Sequence, residues 1–163
     1  MDIRLLTPDD ALLWKQIRLE ALLGFPQNYL SSYEEEEQRT LKQWKDILSQ
    51  NLIYGLFIDS QLVSTVALSP KNIVKYQHKG EIWGVYTKPS FQGQGLARQL
   101  MSHVLEQAQK KLTLCYLNCT TTNQGAFKIY EQLGFEIYGI EKKAILVDGQ
   151  YYDEYLMAIY FKE

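Results

Sequence analysis

Histidine and cysteine are scarce in this chain, with two of each among 163 residues. Cys115 and Cys119 share one strand-like segment. Four positions apart on a strand they face the same side but lie too far apart to bridge comfortably. No His or Cys partners stand nearby, so no metal centre is expected. Buried free thiols are expected instead, and these suit a reducing compartment. Charge of one sign is also missing: 17 basic and 19 acidic residues leave a net charge of −2. That balance gives no electrostatic case for a nucleic-acid partner. No apolar run approaches the length of a membrane span, so no membrane association is expected. The opening Met1-Asp-Ile-Arg4 lacks a basic and then apolar leader, and a cytoplasmic location is the expectation. Internal repeats, low-complexity tracts and linkers are absent as well.

What is present is apolar and aromatic. Hydrophobic residues make up 46% of the chain, and 12 Tyr and 3 Trp supply much of the aromatic content. One domain over residues 1–163 is expected at this size. The patterning alternates strands and helices. Ile3–Leu6 reads as a strand, with Thr7 as helix cap, Pro8 at the first helical position and Asp9 and Asp10 in the first turn. Leu13, Trp14, Ile17 and Ala21 form the expected buried face. Thr40 caps a second helix, with Leu41, Trp44, Ile47 and Leu48 on one side. Asn51–Ile58 and Gln61–Leu68 form a hairpin around Asp59-Ser60. Ser69–Lys79 reads as a polar connector, and Glu81–Thr87 as the next strand. Leu96, Ala97, Leu100, Met101, Val104, Leu105 and Ala108 repeat at helical spacing. Thr113–Cys119 is a strand, and Asn123–Leu133 a helix ended by Gly134. Glu136–Ile140 and Tyr151–Phe161 are late strands around a turn at Asp148-Gly149.

The most informative segment is Gly84-Val-Tyr-Thr-Lys-Pro-Ser-Phe-Gln-Gly-Gln-Gly-Leu-Ala-Arg98. A strand runs into Pro89, then a glycine-rich turn, then a helix. Gly93 and Gly95 remove Cβ atoms where the chain bends and where a ligand approaches the backbone. Free amide N–H groups at such a helix N-terminus suit a phosphate. A dinucleotide fingerprint wants a small residue at the sixth position from Gly93, where Arg98 stands. A phosphate loop of the Gly-Lys-Ser/Thr type lacks its lysine here.

The spacing that fits is Gln92-x-x-Gly95-x-Ala97. It resembles the acyl-CoA pyrophosphate loop of the GNAT superfamily of N-acetyltransferases. Downstream, Asn123, Ala126, Tyr130, Gly134 and Phe135 match that superfamily's N-x-x-A-x-x-L-Y-E-x-x-G-F pattern, with Ile129 in place of Leu. The resemblance is firm over about residues 79–135. It implies an α/β (α+β) fold: a mixed, mostly antiparallel sheet, helices on both faces, and two central parallel strands, Glu81–Thr87 and Thr113–Cys119, that splay apart.

The same resemblance implies acetyl-CoA as co-substrate and an amine as acceptor, in a monomer or homodimer. Backbone groups of Val85, Tyr86 and Thr87 would pair with the pantetheine arm. Gln92, Gly93, Gln94, Gly95, Leu96, Ala97 and Arg98 would hold the pyrophosphate, with Asn123 and Ala126 beside it. Tyr130 would protonate the departing thiolate, and Glu81 would take the amine proton through water. His78 and Asn118 are further polar candidates near the acceptor, while His103 is expected to be structural. The acidic run Glu34–Glu37 would border the acceptor cleft, as a lure for a cationic amine or as a solvated helix start. A CoA-binding sensor without catalysis is the alternative, and Tyr130 argues against it.

Overall fold

The computed structural model describes residues 1–163. A short strand β1 (Asp2–Leu5) leads into a 3-10 turn at Pro8–Asp10 and then helix α1 (Ala11–Gly24). As expected, Thr7 caps a helical turn that opens at Pro8 with Asp9 and Asp10 in it; the turn is 3-10, and the α-helix takes over at Ala11. The Asp10 carboxylate accepts from the Thr7 N–H at 2.8 Å, as a capping box does, and from Nη1 and Nη2 of Arg4. A short helix α2 (Tyr33–Glu37) and helix α3 (Leu41–Gln50) follow. Thr40 caps α3 as expected: its hydroxyl accepts from the Gln43 N–H at 3.2 Å, and the Gln43 side chain accepts from the Thr40 N–H at 2.8 Å.

Strands β2 (Leu52–Ile58) and β3 (Gln61–Pro70) form the predicted hairpin. Its two turn residues, Asp59 and Ser60, both have positive φ, 48° and 66°. This is the mirror-image turn whose twist matches the flanking strands. Strand β4 (Lys79–Thr87), helix α4 (Leu96–Ala108), strand β5 (Leu114–Thr120) and helix α5 (Gln124–Leu133) come next. Gly134 closes α5 with φ 106°. Strands β6 (Glu136–Val147) and β7 (Gln150–Tyr160) end the chain.

The seven strands form one sheet in the order β1-β2-β3-β4-β5-β7-β6. Every neighbouring pair is antiparallel except β4 and β5. Two cores lie on opposite faces. On one, α4 sets Leu100, Met101 and Val104 against Val63, Val66, Leu68 and Leu117. On the other, α1 and α3 set Trp14, Ile17, Trp44 and Leu48 against Ile53, Leu62 and Ala67. Trp14 meets Trp44 edge to face, with ring centroids 5.2 Å apart.

Four expectations need correction. Leu13 is 45% exposed, and Arg18 and Leu22 occupy the buried face of α1 in its place. Leu41, the first residue of α3, is also exposed. The connector is shorter than Ser69–Lys79, because β3 runs on to Pro70 and β4 starts at Lys79. Strand β6 continues past Ile140 to Val147, across an irregular stretch where Lys143 takes φ 52°. The Lys143 N–H donates to Asp153 there at 2.8 Å.

Candidate functional site

The parallel pair holds for only three residues: Lys79, Gly80 and Glu81 face Leu114, Cys115 and Tyr116. Beyond Glu81 the two strands part. A bulge in β4 contributes to this. Opposite β3, Thr65 faces Tyr86 and Ala67 faces Trp83, so Gly84 and Val85 together oppose Val66. Gly84 takes φ 61°, a region that disfavours side chains, and a Cβ there would stand 3.3 Å from Nη1 of Arg18.

The gap is crossed by the segment that follows α1. The Tyr29 hydroxyl donates to the Val85 carbonyl at 3.0 Å. The Thr120 hydroxyl donates to the Gln27 carbonyl at 2.7 Å, tying the same segment to the end of β5. Cavities open on either side of this crossing, with volumes of about 470 and 580 Å³. Asn28, Tyr29, Val85, Asn123 and Tyr130 line both. The buried Oδ1 of Asn28 has no hydrogen-bond partner.

The larger cavity runs along the glycine turn. Gly93, Gly95, Leu96, Ala97 and Arg98 line it with Gln92, and Ala126 faces them from α5. Gln94 is exposed and takes no part in the lining. Gly93 and Gly95 have φ 77° and 76°, and a Cβ on either would meet nothing within 4 Å. The glycines are therefore required by the backbone, and their surface is open. The first N–H groups of α4 lack intrahelical partners and face this opening. Gln92 donates its side-chain amide to the Thr87 carbonyl at 3.0 Å, which pins the turn to β4. The Tyr86 carbonyl accepts from Ser64, so all three strand carbonyls named from the sequence already hold a side-chain donor. Arg98 donates to Gln132 at 3.3 Å across the mouth between α4 and α5.

The smaller cavity is charged. Glu36 is 2% exposed and accepts from Nε and Nη2 of Arg18 at 3.1 and 3.0 Å. Arg39 stands 3.1 Å from the same carboxylate. Arg18 lies over the rings of Tyr29 and Trp83, its guanidinium carbon 5.4 Å from each centroid. Lys71 pairs with Glu81 at 3.3 Å, and Asn118 donates to Glu154 at 3.3 Å. The acidic run does border this cavity, but only Glu36 enters it, and two guanidinium groups neutralise it. Glu34, Glu35 and Glu37 face solvent.

Burial dominates the titrations. Tyr130 is 6% exposed, and desolvation pushes its hydroxyl far above the usual phenol value. Tyr29 and Tyr86 are raised by the same cause. Burial also raises Glu154, with the neighbouring Glu141 adding to it. For Glu36, burial alone would raise the carboxyl, but the hydrogen bonds and charges of Arg18, with the charge of Arg39, outweigh it and lower it. Cys115 and Cys119 are free, buried thiols, both pushed up to about 12 by desolvation. No group of three or more His, Cys, Asp or Glu side chains is arranged to hold a metal ion. No helix is long and apolar enough to cross a membrane.

Tyr130, Val85, Asn123 and the glycine turn therefore meet in one place, with Glu81 and Asn118 on the far side of the gap. His78 is exposed and lines neither cavity; its carbonyl accepts from Thr113. His103, half-buried, meets the buried Tyr54 edge to face, ring centroids 5.6 Å apart. Arg18, Asn28 and Tyr29 were not singled out in the sequence. Nothing local marks them: Arg18 pairs with Glu36 18 positions away, and Tyr29 with Val85 56 positions away.

Residues 14–135 match the Acetyltransferase (GNAT) family, and the chain belongs to that family. It is 29% identical over 131 residues to a mycothiol acetyltransferase of Brachybacterium faecium, covering 80% of this chain and 39% of that protein. It is also 29% identical over 103 residues to the L-amino acid N-acetyltransferase AaaT of Escherichia coli, covering 62% of this chain and 63% of that protein. The chain thus spans less than two thirds of either relative. Its fold is that of yncA, a putative acetyltransferase from Salmonella typhimurium solved with its cofactor acetyl-CoA. The TM-score is 0.85 at 18% identity, over 100% of this chain and 95% of that one.

Proposed function

We propose that the chain is an N-acetyltransferase that moves an acetyl group from acetyl-CoA directly to a primary amine. The observation that carries this is the gap between β4 and β5, where two cavities meet at Val85 and Tyr130. The larger cavity fits acetyl-CoA. The turn around Gly93 and Gly95 presents open backbone, and the α4 N-terminus offers unpaired N–H groups to a pyrophosphate. Bound there, acetyl-CoA supplies the acetyl group as a reactive thioester. The smaller cavity holds the acceptor.

The chain's own residues divide the remaining work. Backbone amides of the bulge at Gly84–Val85 stand where they would donate to the carbonyl oxygen as charge develops on it. Tyr130, like any phenol, keeps its proton through the neutral range, and burial raises it further. It is the donor for the sulfur as the carbon–sulfur bond breaks, and solvent then restores its proton. Glu81, held by Lys71, takes the proton that the amine loses, through water. The products are an N-acetylated amine and free CoA.

The test is thiol release from acetyl-CoA by the full chain across an amine panel, with product mass measured. Amine-dependent release and an acetylated product are expected. Saturable acetyl-CoA binding with no transfer to any amine would favour the sensor reading instead.

A further inference from the structure

The acceptor cavity carries a cation whose partners are only half supplied. Arg18 is 6% exposed. Its Nε–Nη2 edge is used by Glu36. Its Nη1 makes no hydrogen bond within the protein, and Arg18 lines the smaller cavity beside Gly84. A guanidinium has five N–H donors, and its end-on edge can take a second carboxylate. Gly84 leaves this edge uncovered, since any side chain there would stand against Nη1.

The cavity's charges balance: Arg18, Arg39 and Lys71 face Glu36, Glu81 and Glu154. Arg39 is a third exposed and shares Glu36 with Arg18, while Lys71 pairs with Glu81. What singles out Arg18 is geometry: it is the buried cation of the cavity, and one edge of its planar fork has no partner. A planar fork suits a carboxylate.

We infer that the acceptor is a small amino acid whose carboxylate docks on the free edge of Arg18 while its amine reaches the gap at Val85. This rests on the reading of the chain as an N-acetyltransferase. Gly84 and Val85 are consecutive, so the carboxylate and the reacting nitrogen are only a few bonds apart. The unpartnered Asn28 amide at the junction of the two cavities offers an acceptor to the amine end.

The experiment compares kcat/KM of the full chain for matched acceptors: an α-amino acid, its carboxamide, its decarboxylated amine, the corresponding aminophosphonate, and spermidine. The amino acid should lead the carboxamide and the amine by on the order of 10²-fold, the usual penalty for leaving a buried charge unpaired. Arg18→Gln should remove most of that lead while acetyl-CoA binding, measured by titration, persists. If Arg18→Gln does not fold, the wild-type ranking alone decides. Equal rates for acid and carboxamide, or a preference for spermidine or the aminophosphonate, would overturn the inference and leave the acetyltransferase reading intact. Absence of acetyl-CoA binding would overturn both.

Discussion

The hydroxyl of Tyr29 donates to the carbonyl of Val85, joining residues 56 positions apart across the gap between the two parallel strands. The bond holds the segment after α1 against the bulge and shapes both cavities at once. Tyr29→Phe keeps the ring and removes only this bond. A loss of about 1 kcal/mol is expected, or about 2–4 °C in Tm for a chain of this size. Urea unfolding should show a lower midpoint at unchanged slope. Unchanged stability would mean that the bond is not part of the folded-state balance.

Gly95 has φ 76° with open space around its missing Cβ. Gly95→Ala should therefore cost about 1–2 kcal/mol of stability through backbone strain alone. Gly95→Val adds bulk over the α4 N-terminus. It should weaken acetyl-CoA binding by roughly tenfold or more, a loss of about 1.4 kcal/mol per decade. Calorimetric titration of both variants separates strain from obstruction. Wild-type affinity in folded Gly95→Val would move the pyrophosphate elsewhere.

Tyr130→Phe should lower kcat and leave acetyl-CoA affinity nearly intact, because the buried ring is preserved. The loss should reach up to the order of 10²-fold. Larger effects are not expected, since a thiol of pKa about 8.5 leaves partly unaided. The raised phenol of Tyr130 also means that it stays protonated well into the alkaline range. An alkaline fall in wild-type activity should then survive in Tyr130→Phe. Glu81→Gln should flatten the acid limb of the pH–rate profile. A wild-type profile in that variant would assign the amine proton to solvent.

Glu36 lies between Arg18 and Arg39 with its carboxyl lowered. A lowered carboxyl stabilises the fold above its unfolded value, about 4.3 for Glu. That contribution disappears as pH falls through the lower folded value. Asp10, lowered first by its hydrogen bond from Arg4, acts in the same direction. Wild-type stability should therefore drop steeply below about pH 4. Glu36→Gln should cost about 3–5 kcal/mol near neutrality by leaving two cations unpaired. Its stability should then vary less with pH. An equally steep acid profile in the variant would place the sensitivity elsewhere.

The thiols of Cys115 and Cys119, both held at about 12 by burial, should react very slowly with a disulfide reagent at pH 8. Two thiols should appear on unfolding. Fast reaction of either one in the native protein would show that β5 opens locally.

Sequence alone determined the parts built from near neighbours. The Thr40 cap, the Asp59-Ser60 turn, the glycine start of α4 and the Gly134 stop of α5 each depend on residues within a few positions, where propensity and capping act. The two motifs likewise lie on α4 and α5 and the turns before them, so Tyr130, Asn123 and the glycine turn could be named together. Tertiary structure decided the rest. Arg18 carries no local mark of burial, yet a carboxylate 18 positions away makes its burial tolerable. Glu36 reads as one of four acids, yet only it turns inward. The acceptor wall, with the free edge of Arg18, comes from α1, α2 and the bulge of β4 meeting in space. A charge takes its burial and its partner from the packed fold, and neither is written in its local sequence.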